Sequence, residues 1–191
     1  MPAAPKKPAA KKPTKVKTPV VKAKKPEAQL KLVSSQTGAV KIGVKAPSFS
    51  MAATDVGQVS LTAMKGKPFV LYFYPKDDTS GCTVEACDFR DIAPQFNKLG
   101  IKVIGVSRDS LTSHEKFKKK YSLNFPLASD EDGKACEAYG VWVEKSMYGR
   151  KYMGIERTTF LIDAKGVVRA IWNKVSVVGH VAEVAKAVKN L

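Results

Sequence analysis

The 191-residue sequence contains no long apolar run, only three cysteines and no arginine before Arg90. A transmembrane helix needs about 18 consecutive apolar residues and a secretory signal needs about seven after a basic start, so we expect neither. The basic N-terminal segment lacks arginine and contains helix-breaking prolines, which argues against an amphipathic transit peptide. Three cysteines are too few for a disulfide scaffold. We therefore expect a cytoplasmic protein, without membrane contact, whose cysteines are thiols.

The composition changes sharply near residue 45. The first 45 residues contain twelve lysines, one acidic residue (Glu27) and no aromatic residue, and six of the eleven prolines fall within the first 26. This segment carries a charge of +11, which leaves +5 of the formal +16 for the rest of the chain. Lys, Pro and Ala at this density cannot bury enough apolar surface to offset the entropy of ordering. We predict a disordered basic tail over residues 1–40 and one domain over residues 41–191.

Apolar periodicity in the body predicts alternating strands and helices. Short β-prone runs at 69–74 and 101–106 indicate buried strands. Between them, Phe89 and Phe96 belong to an apolar stripe at helical spacing, which predicts a helix from about Thr83 to Gly100. Three further helices are expected, over residues 111–121, 134–139 and 181–191. A β-hairpin is expected with strands over 158–163 and 167–172. The pattern predicts an α/β fold with a mixed central sheet flanked by helices on both faces.

Cys82 carries the clearest chemical signal, because it lies where a strand and a polar loop lead into the first predicted helix. The first backbone N–H groups of a helix are unpaired and its dipole is positive there, and both effects favour thiolate, the nucleophilic form. Attack on a peroxide places negative charge on the second oxygen, so donors must hold two oxygens in line with the sulfur. The Thr79 hydroxyl, backbone N–H groups near Gly81 and a guanidinium are candidates. Taken alone, a cysteine after a glycine is more commonly an inert buried thiol.

Pro75, Thr79 and Cys82, in the pattern Pro-x3-Thr-x2-Cys, resemble the active-site signature of peroxiredoxins. The segment through Cys87, together with Tyr-Gly-Val-Trp at 139–142 and Arg-Thr-Thr-Phe-Leu-Ile-Asp at 157–163, is similar to the subgroup called peroxiredoxin Q or bacterioferritin comigratory protein. The resemblance extends from about residue 41 to residue 191 and leaves the basic tail unmatched. It implies a monomeric thiol peroxidase with a thioredoxin-like fold. Such an enzyme reduces hydrogen peroxide and organic hydroperoxides in antioxidant defence, with thioredoxin or a similar dithiol as reductant and no cofactor.

The same resemblance implies a role for each matching residue. Cys82 corresponds to the peroxidatic nucleophile, Thr79 to the peroxide-binding hydroxyl, and Pro75 to a shield of the thiolate from water. Arg157 corresponds to the charge partner of the sulfur, although by itself it reads as a surface charge or one end of a salt bridge. Glu85, one turn into the helix, either only interacts with the positive end of the dipole or holds Arg157 in place, and the sequence leaves both open.

Cys87 is the candidate resolving residue, because a sulfenic acid on Cys82 needs a second thiol to be recycled. On an ideal helix five residues give a rise of about 7.5 Å and a rotation of about 140°, so the two side chains point apart. Disulfides require Cα separations of roughly 4.4 to 6.8 Å. We therefore predict that the helix start unwinds when an intramolecular Cys82–Cys87 disulfide forms. Cys136, in the short helix near 134–139, is expected to be a packed spectator.

Two other functional classes remain open. A Lys-Pro-Ala tail neutralises phosphates without reading bases, so residues 1–40 either contact nucleic acid nonspecifically, with nuclear or nucleoid association, or only improve solubility. A thiol–disulfide oxidoreductase usually has C-x-x-C at the helix start, whereas the spacing here is C-x4-C and Thr79 would be unexplained. His114 and His180 need no special role, and the cysteine spacing is a poor zinc pattern, so we expect no metal.

Overall fold

The structure, a computed structural model, describes Met1, Ala3 and residues 40–191. Apart from Met1, Ala3 and Val40, the predicted tail lies outside the described residues. The Val40 side chain is buried in the hydrophobic core. Val40 is therefore part of the folded body.

The described part of the chain contains nine strands and four helices. The strands are β1 (Ser50–Ala53), β2 (Gly57–Ser60), β3 (Phe69–Phe73), β4 (Lys102–Ser107), β5 (Leu127–Ser129), β6 (Trp142–Met147), β7 (Arg150–Ile155), β8 (Thr158–Ile162) and β9 (Val168–Trp172). The helices are α1 (Ser80–Lys98), α2 (Leu111–Tyr121), α3 (Lys134–Ala138) and α4 (His180–Val188). Every strand and helix predicted from apolar periodicity is present, with boundaries displaced by at most three residues.

Seven strands form one mixed sheet in the order β2-β1-β5-β4-β3-β8-β9. The three central strands β3, β4 and β5 are parallel, whereas β8 and β9 on one side and β1 and β2 on the other join antiparallel. Phe73, the last residue of β3, pairs with Thr158, the first residue of β8. This register places Arg157, just before β8, beside the loop that leads from β3 to Cys82.

Helices cover both faces of the sheet. Alternate residues of β3 belong to two different buried clusters, as expected for side chains that point to opposite faces. Helices α1, α2 and α4 contribute apolar side chains to one cluster, and α3 contributes to the other. Because both faces are covered, all five residues of β3 are buried. The predicted α/β architecture is therefore confirmed.

Five strands, β1, β2, β5, β6 and β7, were not predicted. The first three have only three or four residues, which is too short for a periodic signal. Strands β6 and β7 form a separate two-stranded sheet whose residues are mostly exposed, so they show little apolar alternation. Their two-residue turn consists of Tyr148 and Gly149, both with positive φ (51° and 76°), as primed hairpin turns require. This β6–β7 hairpin lies next to the cysteine site described below.

The middle of α1 is hydrogen-bonded to the C-terminal end of α2 and to the loop after it. Pro94 lies inside the helix and has no N–H to donate to the carbonyl of Arg90. Asn124 Nδ2 donates to that carbonyl instead, at 3.0 Å. Arg90 Nη1 in turn donates to the carbonyl of Tyr121 at 2.9 Å. These bonds fasten α1 at Arg90 to the C-terminal end of α2 and the loop after it.

Candidate active site

Cys82 is the third residue of α1, and its side chain is almost fully buried, with 2% of its surface exposed. Thr79 is the N-cap residue, with extended backbone angles (φ −88°, ψ 151°), and its carbonyl accepts the first helical hydrogen bond from Thr83 N at 2.8 Å. The amides of Ser80, Gly81 and Cys82 therefore precede the intrahelical ladder. Together with the positive end of the helix dipole they stabilise negative charge on the Cys82 sulfur.

Arg157 brings a permanent positive charge to this sulfur. Its Nη2 lies 3.2 Å from Cys82 Sγ. The side chain is largely buried, with 14% of its surface exposed, so bulk water screens the contact only weakly. The strand register between β3 and β8 produces this contact between residues 75 positions apart. The sequence-based pairing of Arg157 with Cys82 thus corresponds to a direct contact.

Glu85 is fully buried one turn after Cys82 and binds the other side of the same guanidinium. Its Oε2 accepts from Arg157 Nη1, while its Oε1 has no hydrogen-bond partner among the described residues. Burial raises the pKa of Glu85 to about 7, against the lowering effect of the Arg157 charge. Of the two alternatives left open by the sequence, the geometry favours the one in which Glu85 holds Arg157.

Thr79 and Pro75 lie in the exposed loop between β3 and α1. Thr79 Oγ1 donates to the carbonyl of Lys76 at 3.0 Å and does not cap the helix with its side chain. Because the hydroxyl proton is used in this way, Thr79 presents oxygen lone pairs rather than the donor expected from the sequence. Pro75 lines an open cleft opposite the β6–β7 hairpin.

Comparison with known proteins assigns the chain that carries this site to a family. Residues 42–171 match the profile of the AhpC/TSA family. The chain belongs to this family.

Its relatives place it more narrowly. A putative peroxiredoxin Bcp of Coxiella burnetii is 55% identical over 145 residues, 76% of this chain and 96% of that protein. Peroxiredoxin Bcp of Bacillus subtilis is 49% identical over 152 residues, 80% of this chain and 97% of that protein. A solved structure of the Xanthomonas campestris bacterioferritin comigratory protein, which reduces alkyl peroxides, has a TM-score of 0.71 and 45% identity, over 74% of this chain and 90% of that one. The chain is thus a peroxiredoxin of the Bcp and PrxQ group with a thioredoxin-like fold, and a thiol peroxidase rather than a thiol–disulfide oxidoreductase.

In this peroxiredoxin, His180 lies behind the ion pair, although the sequence indicated no role for it. Its Nε2 is 2.8 Å from Thr159 Oγ1 and 3.9 Å from Glu85 Oε1. Burial, with a further contribution from the Arg157 charge, lowers the pKa of His180 to about 4, so the ring is neutral near pH 7. His180 is the first residue of α4, and no local sequence pattern links it to α1 or β8.

Lys145 of the β6–β7 hairpin is a second cation near the site that the sequence did not reveal. It lines the same cleft as Pro75, and its Nζ donates to the carbonyl of Ile155 at 2.5 Å. Burial lowers the pKa of Lys145, whereas the charge of Glu156 opposes this change. The unpredicted hairpin therefore supplies one wall of the peroxiredoxin cleft together with a positive charge.

All three cysteines are free thiols. Cys87 is half-buried on the same continuous helix as Cys82, and its Sγ lies 3.7 Å from Arg90 Nη1. Cys136 is completely buried in α3, where burial and then the neighbouring Asp130 raise the pKa of its thiol well above the ordinary range. The structure thus brings Cys82 and Cys87 onto one helix and leaves Cys136 in the core.

Among the described residues, no group of three or more His, Cys, Asp or Glu side chains could hold a metal ion. No helix in residues 40–191 is both long enough and apolar enough to cross a bilayer.

Proposed function

We propose that Cys82 is the peroxidatic nucleophile of this thiol peroxidase and that Arg157 is its charge partner. The observation that carries the proposal is the 3.2 Å contact between Arg157 Nη2 and Cys82 Sγ in the first turn of α1. Glu85, buried and paired with Arg157 Nη1, is a positioning residue that fixes the guanidinium plane against the sulfur. Pro75, at the cleft, limits the access of water to the thiolate.

In the first step the Cys82 thiolate attacks the terminal oxygen of a hydroperoxide and the O–O bond breaks. Cys82 becomes a sulfenic acid, and the second oxygen leaves as an alkoxide or hydroxide that takes a proton from water. Arg157 and the first-turn amides stabilise the charge on that oxygen. Thr79 Oγ1, whose proton is donated to the Lys76 carbonyl, accepts a hydrogen bond from the peroxide hydroxyl. Hydrogen peroxide and organic hydroperoxides are the proposed substrates, and alkyl peroxide reduction by the X. campestris relative supports the second class.

In the second step the Cys87 thiol attacks the sulfenic acid sulfur, which gives a Cys82–Cys87 disulfide and one water. Both residues lie in α1, a continuous helix from Ser80 to Lys98, so the N-terminal part of α1 must first unwind. A dithiol such as thioredoxin then reduces the disulfide by exchange and is itself oxidised.

Hydrogen peroxide consumption coupled to a thioredoxin system tests the nucleophile. Cys82→Ser is expected to reduce the rate to that of the uncatalysed reaction, because a hydroxyl is not ionised at neutral pH. Cys136→Ser is the matched control, since it makes the same substitution at a buried thiol outside the site, and it should retain the parent rate. A Cys82→Ser variant as active as the parent would overturn the proposal.

Peptide mass spectrometry after one equivalent of peroxide tests the resolving residue. The expected product is a single crosslink between Cys82 and Cys87. A crosslink that includes Cys136, or turnover with thioredoxin that survives Cys87→Ser but not Cys136→Ser, would assign the resolving role to Cys136.

We also propose that the enzyme is a cytoplasmic monomer and that residues 1–40 contact nucleic acid nonspecifically. The ten lysines of residues 1–40 support the second statement, because such tails bind phosphates by counterion release. A gel-shift assay should show retention of DNA at low salt by the full chain and not by a chain lacking residues 1–39, which keeps the buried Val40. Equal retention by the two chains would contradict the nucleic-acid contact, and sedimentation tests the monomer.

A further inference from the structure

Asp77 and His114 form a buried pair beside the loop that carries Thr79. His114 of α2 is fully buried, and 7% of the surface of Asp77 is exposed. His114 Nδ1 lies 2.9 Å from Asp77 Oδ2, and His114 Nε2 lies 3.2 Å from the carbonyl oxygen of Ala128. Neither residue belongs to the sulfur, arginine and glutamate arrangement described above.

The hydrogen-bond partners determine which atoms of this pair carry protons. A carbonyl oxygen only accepts, so His114 Nε2 must carry a proton to bond with Ala128. The Asp77 carboxylate already accepts from the Tyr74 hydroxyl at 2.8 Å and from the Ser113 hydroxyl at 2.8 Å. His114 Nδ1 therefore faces an acceptor as well, and it also lies 3.4 Å from the Tyr74 hydroxyl oxygen, whose own proton is donated to Asp77. An imidazolium, in which both ring nitrogens donate, would satisfy both of these contacts at once.

Asp77 is one of two anchors that fix the loop between β3 and α1. Its backbone N–H donates to Asp109 Oδ2 at 2.8 Å while its side chain is held by His114. The next residue, Asp78, adopts a left-handed backbone (φ 56°) that is unfavourable for a non-glycine residue. Lys120 Nζ and the Tyr121 hydroxyl bind its carboxylate at 2.6 to 2.8 Å. Helix α2 thus holds both carboxylates.

These anchors determine where the Thr79 hydroxyl points. Lys76 precedes Asp77, and its carbonyl accepts the hydrogen bond from Thr79 Oγ1 at 3.0 Å. If Asp77 moved, the Lys76 carbonyl and the Thr79 lone pairs would move with it. A displacement of about 1 Å at a substrate-positioning group costs up to about a hundredfold in rate.

We propose that His114 is a charged positioning residue for peroxide binding, which acts through Asp77 and the Lys76 carbonyl on Thr79. The proposal rests on the proposed role of Thr79 as acceptor for the peroxide hydroxyl. The Cys82 sulfur is held by α1 and Arg157, so the pair acts on the orientation of the substrate and leaves the reactivity of the thiolate unchanged.

Nitrogen NMR of the imidazole rings tests the charge in the full-length reduced protein at pH 7.5. The chain has two histidines, and His180, with its pKa lowered to about 4, is the internal control for a neutral ring. His114 should show two protonated nitrogens and His180 one. A neutral His114 ring would overturn the proposal, and this measurement requires no variant to fold.

Two reactions of Cys82 test the positioning role. Asp77→Asn and His114→Gln should lower the rate constant for oxidation of Cys82 by hydrogen peroxide about tenfold or more, because the loop loses its anchor. Alkylation of Cys82 by iodoacetamide, which does not need Thr79, should stay within about twofold of the parent. Asp132→Asn is the control, since it makes the same substitution as Asp77→Asn at an exposed carboxylate that is paired with Lys134 at 2.7 Å, and it should leave both rates unchanged.

An equal fall of both rates, or no fall in the peroxide rate, would overturn the positioning role. If instead the parent protein is alkylated at Cys82 but not oxidised there by peroxide, the proposed function fails, and the NMR result still decides the charge of His114.

Discussion

Oxidation of this enzyme by one equivalent of peroxide should unwind the first half of α1, and the helix geometry sets the size of the change. Five residues on an ideal helix are separated by about 7.5 Å along the axis and about 4.3 Å across it, which places the Cα atoms of Cys82 and Cys87 about 8.7 Å apart. A disulfide tolerates at most about 6.8 Å. The two Cα atoms must therefore approach by about 2 Å, which a helix cannot allow without losing its hydrogen bonds between these residues.

The hydrogen-bond ladder predicts which amides are affected. In the reduced protein the first helical amide is Thr83 N, which donates to Thr79 O at 2.8 Å. Distortion of residues 82–87 displaces their amides and the carbonyls that accept from residues up to 91. Hydrogen exchange should therefore accelerate at residues 83–91 by at least about tenfold, equivalent to about 1.4 kcal/mol of lost local stability. Residues 95–98, in the same helix but beyond Pro94, should keep their protection.

The measurement is amide hydrogen exchange of the reduced and disulfide forms, followed by NMR or mass spectrometry. Cys87→Ser treated with the same peroxide is the control, because it forms the sulfenic acid without a disulfide and should remain protected. Equal protection of residues 83–91 in the reduced and disulfide forms would refute the unwinding. Exchange in the Cys87→Ser control as fast as in the disulfide form would show that the sulfenic acid, and not the disulfide, causes it.

Three further predictions concern the site and its surroundings. Arg157→Lys should slow peroxide oxidation of Cys82 about a hundredfold in stopped-flow fluorescence, because an ammonium cannot contact the sulfur and the carboxylate together; an unchanged rate contradicts this. Glu85, with a pKa of about 7 raised by burial, binds more protons in the folded than in the unfolded state and should make stability fall as pH rises from 4.5 to 7. His180, with a pKa of about 4 lowered by burial, should make stability rise between pH 4 and 6.5. In urea unfolding, the free energy of unfolding should rise with pH by about 3 kcal/mol in Glu85→Gln and fall with pH by about 3 kcal/mol in His180→Gln. The same pH dependence in both variants would contradict both assignments. Cys136→Ser should keep full turnover, and iodoacetamide should label Cys82 but not Cys136 in the folded protein; loss of turnover would show that Cys136 takes part.

The sequence was sufficient for the parts of this protein that depend on local patterns. The helix around Cys82 and the strands at 69–74 and 158–163 follow from apolar periodicity, and Arg157 followed from a motif. The β6–β7 hairpin was missed because its strands are mostly exposed and show little apolar alternation. Its clearest hairpin feature, the positive φ of Tyr148 and Gly149 in the turn, is visible only in the structure.

The residues behind the site were missed for a different reason. His180 and the Asp77–His114 pair are brought to the site by contacts between elements far apart in the chain, and Lys145 is brought there by the position of its hairpin. Such contacts depend on strand order and on which helix covers which face, and no spacing in the sequence encodes them. Two isolated histidines therefore appeared to be ordinary helix residues until the fold placed each beside a carboxylate.

The proline inside α1 has a consequence for the speed of the catalytic cycle. Starting a helix is slow because several residues must be ordered before the first hydrogen bond forms, whereas lengthening an existing helix is rapid. The segment after Pro94 does not depend on residues 82–87 for its attachment, since its Phe96 side chain is buried in the hydrophobic core. Arg90, at the far edge of the affected residues, is also bound from outside the helix by Asn124 and Tyr121. When the disulfide is reduced, the first turns of α1 can therefore re-form by extension of the helical segment that stayed folded. Restoring the reduced conformation should then not limit turnover.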